Sequence, residues 1–255
     1  MIAKADFIFF LDYNEVKRSA EMQESLMASK AVKVMIDHHP SPQLEVPYPF
    51  SVTQASSTCE LVYEFIDALG LTNLMNTEIA TCIYTGLMTD TGCFSYNSSR
   101  PRTFEIVAQL LRLSIDKDGI AHNIFDSYSE TRMRLLGYCL NDKMRVFPEL
   151  HAAYMSVNMS DQERFRFTSG DSEGFVNYPL SIKGVCFTAF FTEKKEKVKI
   201  SFRSRGSFPA NDFAAKHFSG GGHKNAAGGE SLLSLSETIK KFEELLPLYE
   251  KELNS

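Results

Sequence analysis

At 255 residues the chain is long enough for one large or two modest domains, and 44% apolar residues supply real hydrophobic cores. A formal net charge of −5 argues against a protein that grips long duplex nucleic acid, which needs a basic face, but leaves room for a small anionic substrate in a local basic pocket. Five scattered cysteines without a CxxC pair suit reduced thiols, and there is neither an apolar run of membrane-spanning length nor a signal-like start, so a soluble cytoplasmic protein with no membrane partner is expected.

The wholly apolar run Phe7-Ile8-Phe9-Phe10-Leu11 reads as a buried strand ending at Asp12. Residues 15–30 read as a helix, and Val32-Lys33-Val34-Met35-Ile36 as a second strand running into Asp37-His38-His39-Pro40. Strand, helix, strand at this spacing is the unit of a parallel sheet, whose ligands gather at the carboxyl ends of its strands. Helical spacing follows over residues 58–69, 77–88, 103–113 and 129–142, the last as a connector. From about Val146 the texture turns β-rich, with strands expected over 151–157, 184–192 and 197–202. The Gly-rich loop Gly220-Gly221-Gly222-His223 comes next, and an amphipathic helix closes the chain from about Ser236 to Leu253. The expected architecture is therefore α/β: an N-terminal parallel-sheet domain over 1–140 with its helical connector, and a smaller mixed α/β domain over 141–255.

Imidazole and carboxylate hold divalent cations such as Mn²⁺, and Asp37-His38-His39 at a strand end offers both. By itself the tripeptide is as well read as a solvated loop, Asp12 as a strand-end cap, and Asp90 of Thr89-Asp90-Thr91-Gly92 as a capped turn. Their convergence on one rim favours carboxylates that bridge two cations. Cations about 3.5–4 Å apart clamp a phosphoryl group and activate a water, so no protein nucleophile need be sought. In the second half, Gly220 to Gly222 let backbone amides approach a phosphate or a neighbouring chain closely, with His223 and Lys224 as donors. Arg203 and Arg205 end a β-like run whose alternation places both on one face, as phosphate forks or as a solvated edge. Phe187, Phe190 and Phe191 read as core, and His122, His151 and His217 as structural or exposed.

The tripeptide Asp37-His38-His39, the strand-end Asp12, the segment from Tyr84 to Gly92 and the segment from Gly220 to Gly229 resemble, in order and spacing, the motifs of the DHH phosphoesterases and their associated C-terminal domain. Tyr178-Pro179-Leu180-Ser181-Ile182-Lys183-Gly184 and Ile200-Ser201-Phe202-Arg203-Ser204 are similar to a bacterial branch that cleaves short oligoribonucleotides and 3′-phosphoadenosine 5′-phosphate (pAp). The resemblance implies two divalent ions, manganese with magnesium as the alternative, bridged by Asp12 and Asp90, with His38 as a further ligand. It implies that His39 contacts the scissile phosphate while Asp37 orients the pair. It further implies that Arg203, Gly221, Gly222 and His223, with Arg205 as a weaker candidate, receive the substrate, a small nucleotide or short RNA, in a chain that can pair as a homodimer.

The family's first motif, a histidine followed by closely spaced aspartates, has no counterpart in residues 1–11, which hold only Asp6. An N-terminal piece is therefore expected to be missing, and with it tight binding of the second ion and full activity. Cyclic-dinucleotide phosphodiesterase, single-strand exonuclease and inorganic pyrophosphatase are the competing enzymatic readings. A nucleotide-binding module without catalysis is the competing reading of another class.

Overall fold

The computed structural model describes residues 2–40 and 42–254. These divide into two compact units, one through Ser127 and one from Tyr128 onward.

The first unit carries three parallel strands in the order β1 (Phe7–Leu11), β2 (Val32–Asp37) and β3 (Tyr48–Ser51). Alternation along β1 and β2 sends side chains to two faces. Phe10 and Met35 pack with Leu26 and Leu44 on one, while Val34 and Ile36 meet Ala55 and Leu61 on the other. The expectation that β1 is buried fails for much of the strand. Among the described residues it pairs with β2 alone, and Phe7, Phe9 and Leu11 are 59, 47 and 45% exposed. The expected helix over 15–30 is also broken. The Ser19 hydroxyl donates to the Val16 carbonyl and Ala20 turns to φ 49°, so a 3-10 stretch, Val16–Met22, precedes the short α1 (Gln23–Ala28).

Four helices follow among the described residues: α2 (Thr58–Ala68), α3 (Thr77–Asp90), α4 (Pro101–Leu111) and α5 (Lys117–Phe125). They share a core of Tyr63, Ala80, Ile83, Leu87, Ile106 and Leu110. Side-chain caps from Ser57, Asn76 and Asp116 start α2, α3 and α5.

The second unit opens with α6 (Glu130–Tyr138), whose Leu135 and Leu136 pack with Met155, Val157, Phe175 and Phe190. Its mixed sheet of six strands has the order β4 (Arg145–Phe147), β5 (Ala152–Val157), β6 (Phe187–Glu193), β7 (Val198–Ser204), β9 (Ala226–Ser231) and β8 (Gly221–His223). Only the β5–β6 pair is parallel. Helices α7 (Met159–Arg164), α8 (Ala210–His217), α9 (Leu235–Leu245) and α10 (Glu250–Leu253) complete it. Phe187, Phe191, Phe202, Phe213 and Phe242 fill one core, and Phe190 a second, so these rings serve packing. The expected single closing helix is interrupted between α9 and α10 by a 3-10 turn containing Pro247, which lacks the amide a helix needs.

Of the glycine segment expected as a loop, Gly221–His223 form the strand β8, with Gly220 immediately before it. A Cβ on Gly220 would lie 2.0 Å from the Gly228 carbonyl oxygen, and one on Gly222, at φ 139°, would lie 2.6 Å from that of Ala226. Glycine is what lets β8 lie this close to β9.

Candidate metal and phosphate site

Parallel pairing of Leu11 with Ile36 brings Asp12 out beside the end of β2. Asp12 has φ 64°, a left-handed backbone that costs a non-glycine residue energy and that tends to persist at functional positions. Its amide donates to the Ile36 carbonyl (3.2 Å), and its Oδ1 accepts from Thr58 Oγ1 (2.8 Å). Asp37 closes β2 fully buried, and its two oxygens accept from the His39 amide (3.0 Å) and from the His39 ring Nδ1 (2.7 Å).

His38 is 4% exposed, with Nδ1 3.2 Å from the Ala55 carbonyl oxygen. A carbonyl only accepts, so Nδ1 carries a proton there, and Nε2 is the ring nitrogen turned toward the carboxylates. That Nε2 lies 3.4 Å from Asp90 Oδ2 and 3.8 Å from Asp12 Oδ1. The sequence separates these three residues by 26 and 52 positions; the fold brings both carboxylates to His38 Nε2.

Burial raises the Asp90 carboxyl pKa; His38 opposes the shift and the Asp12 carboxylate adds to it. Burial, then Asp12 and Asp90, push the neighbouring Cys59 thiol up to about 11, so it stays protonated. His39 is shifted upward, chiefly by its hydrogen bond to Asp37, with burial opposing. Two carboxylates and an imidazole lone pair are a donor set for Mn²⁺, Mg²⁺ or a similar ion, and the residues present fit one. Asp12, Asp37 and His39 form a group with ligand atoms within 4.8 Å of one another, so Asp12 lies beside both histidines. Asp37, already committed to His39, reads as an orienting group.

Sequence reasoning passed over Ala55, Thr58 and Glu60, which hold His38, Asp12 and their loop. A signal was present: Ser57-Thr58-Cys59-Glu60 has the capping pattern of a helix start, which marks ordered backbone.

In the second unit, strand register sets Arg203 opposite Ala226 and Ala226 opposite His223. Directly paired residues point to one face, so Arg203 and His223 share a face across about 10 Å, two strand spacings. Arg203 Nη1 donates to the Phe202 carbonyl (2.9 Å). Arg205 lies just past the end of β7 and is exposed, outside the alternation expected to carry it. Gly221 is exposed, and a Cβ there would meet nothing within 4 Å, so its own fold does not require glycine. Arg102 is tied to Asp67 (2.7 Å) and Glu105 (3.4 Å), which marks it as a surface ion-pair residue. His151 and His217 bind the Gly184 carbonyl and the Tyr249 hydroxyl, structural roles both.

Two family models match the chain in order: the DHH family, N-terminal domain, over residues 1–87, and the DHHA1 domain over residues 150–254. The bifunctional oligoribonuclease and PAP phosphatase NrnA of Bacillus subtilis is 27% identical over 204 residues, which are 78% of this chain and 63% of that protein. The chain spans less than two thirds of the curated relatives it matches, 63, 66 and 64% of three of them. A crystal structure of an exopolyphosphatase-related protein from Bacteroides fragilis is 45% identical, with a TM-score of 0.96, covering all of this chain and 74% of that one. RecJ of Thermus thermophilus in complex with Mn²⁺ aligns at 15% identity and a TM-score of 0.50 over 98% of this chain and 46% of that one, a likeness of fold. With both models matched, and with Asp12 and Asp37-His38-His39 gathered at the strand ends of the first, the chain belongs to the DHH family, its N-terminal domain followed by a DHHA1 domain.

Proposed function

We propose that this chain is a divalent-metal phosphoesterase whose substrates are short oligoribonucleotides and pAp. The observation that carries the reading is His38 Nε2, which lies 3.4 Å from Asp90 and 3.8 Å from Asp12 while Nδ1 faces the Ala55 carbonyl. Divalent cations, manganese before magnesium, supply Lewis acidity toward phosphoryl oxygens and acidify a water when bound. Asp12, His38 and Asp90 hold them. His39, kept oriented and more basic by Asp37, donates to a phosphoryl oxygen, and Asp37 itself stays out of contact with substrate. On the second unit, Arg203 and His223 share the face that takes the substrate's terminal phosphate, with backbone amides at Gly221 and Gly222 and, further out, Arg205. The relatives' names supply the substrate class. Net charge −5 fits small substrates better than long strands.

The three ligands gathered around one point serve one ion better than two, so a second ion is expected to bind at least tenfold more weakly. Titration of the metal-free chain with Mn²⁺ measures this, and Asp90→Asn should abolish the tight event. Unchanged Mn²⁺ binding in that variant overturns the site. Hydrolysis of pAp, a diribonucleotide, cyclic di-AMP and pyrophosphate then ranks the substrates. Faster turnover of either of the last two replaces the substrate assignment and leaves the metal site standing.

A further inference from the structure

Glu60 is fully buried, yet it is neither a site motif nor a packing residue. One of its oxygens accepts from Arg100 Nη1, and the other from the Ser56 amide (3.0 Å), the Ser56 hydroxyl and Thr103 Oγ1 (2.7 Å). The Ser56 amide and the Ala55 carbonyl belong to one peptide unit. A trans peptide is planar, so its N–H and C=O point in opposite directions. Whatever fixes the N–H therefore aims the C=O, and this carbonyl is the one facing His38 Nδ1. Two residues on, Thr58 of the same segment binds Asp12.

We infer that Glu60 is a positioning residue for the metal ligands: it clamps the Ala55–Ser56 peptide so that the carbonyl fixes His38 in the tautomer that turns Nε2 toward Asp12 and Asp90. A buried ion pair is an expensive way to gain stability, since apolar residues of like volume often do as well. It does hold a peptide plane, which apolar contact does not. Arg100 compensates the Glu60 charge and, through Nη2, reaches Glu64 (3.2 Å). The inference rests on the metal-site reading above for its consequence, but the hydrogen-bond geometry it specifies belongs to the metal-free chain.

The test compares wild type, Glu60→Gln and Glu64→Gln in the full chain, with folding checked by circular dichroism. Nitrogen-15 NMR at pH 8 reads the His38 tautomer without metal, and calorimetry reads Mn²⁺ affinity. Glu60→Gln keeps the shape but loses the charge that Arg100 requires. It should convert His38 from one Nδ1–H tautomer to a mixture and weaken Mn²⁺ binding about 10–100-fold. Glu64→Gln, which touches the same guanidinium but has no hydrogen bond to Ser56, should leave both within about twofold. A single tautomer and wild-type affinity in Glu60→Gln overturn the inference, as does an equal loss in Glu64→Gln. If Glu60→Gln does not fold, Ser56→Ala and Thr103→Val decide. Each deletes one donor to Glu60 and should move the tautomer ratio the same way and weaken Mn²⁺ about threefold or more; unchanged values in both overturn it. A wild-type chain that binds no Mn²⁺ sinks the metal reading, and the tautomer measurement then judges Glu60 alone.

Discussion

Asp90 occupies a position that its own helix disfavours. It is the last residue of α3, where the partial negative charge of the helix end opposes a carboxylate, and burial and Asp12 raise its pKa further. A carboxyl whose folded pKa is raised destabilises the chain above that value, and the penalty fades as pH falls below the ordinary carboxylate range. At neutral pH without metal, Asp90→Asn should therefore melt a few degrees higher than wild type, each kcal/mol being worth about 2–4 °C in a chain of this size. The same variant should no longer be stabilised by Mn²⁺. Differential scanning fluorimetry with and without the ion checks both, and a lower metal-free melting temperature would show that Asp90 contributes to the fold. Residue types made this cluster readable, because Asp37-His38-His39 and Asp90 are ligand chemistry at element ends. Ala55 was not readable, since a backbone carbonyl leaves no mark in the sequence of side chains.

Elements in the second unit separate packing from binding. Gly220 and Gly221 look alike in sequence, but only Gly220 faces the β9 backbone. Gly220→Ala should cost about 1–3 kcal/mol through forced chain movement, whereas Gly221→Ala should stay within about 0.5 kcal/mol. Urea denaturation of the two variants measures the difference, and equal losses would show that the strand pairing is not what selects glycine. At α7, Asp161 completes a capping box with Asn158 and also meets Lys143 (2.8 Å) and Tyr138 Oη (2.8 Å). Burial alone would raise its pKa; the hydrogen bonds from Lys143, the Asn158 amide and Tyr138 outweigh it and hold the carboxyl below its usual range. Its stabilisation is thus present above the unfolded value, about 3.9, and is lost as pH falls through the lower folded value. Asp161→Asn should cost about 1.5–3 kcal/mol at pH 7 and flatten that acid limb. Thermal melts between pH 2 and 7 would show it, and a limb unchanged in the variant would remove Asp161 as its source.

At the scale of the molecule, each unit has its own sheet and its own core, and the carboxylate–imidazole cluster of Asp12, His38 and Asp90 belongs entirely to the first. Ligand binding stabilises the folded unit that holds the ligands, by about 2.7 kcal/mol at a hundredfold excess over Kd. Calorimetry should show Mn²⁺ raising one unfolding transition while a second, assigned to the unit built on the six-stranded sheet, stays put. Equal shifts of both would mean that the units unfold as one. This division was only partly legible. The change to β-rich texture near Val146 announced a second sheet, but α6 joins it through Leu135 and Leu136, and amphipathic spacing does not say which sheet a helix will cover.

Composition, ordered motifs and strand-end position determined, from sequence alone, an α/β chain, and pointed to a two-part plan with Asp12, His38 and Asp90 as candidate ligands. These rest on local chemistry and periodicity, which neighbouring residues carry in full. Only the tertiary structure decided that β1 is half-exposed, that Gly221 and Gly222 lie in a strand, and that a buried glutamate in α2 accepts from the Ser56 amide behind His38. Those facts depend on which distant backbone a residue meets, and close approach, exposure and carbonyl direction exist only once the chain has packed.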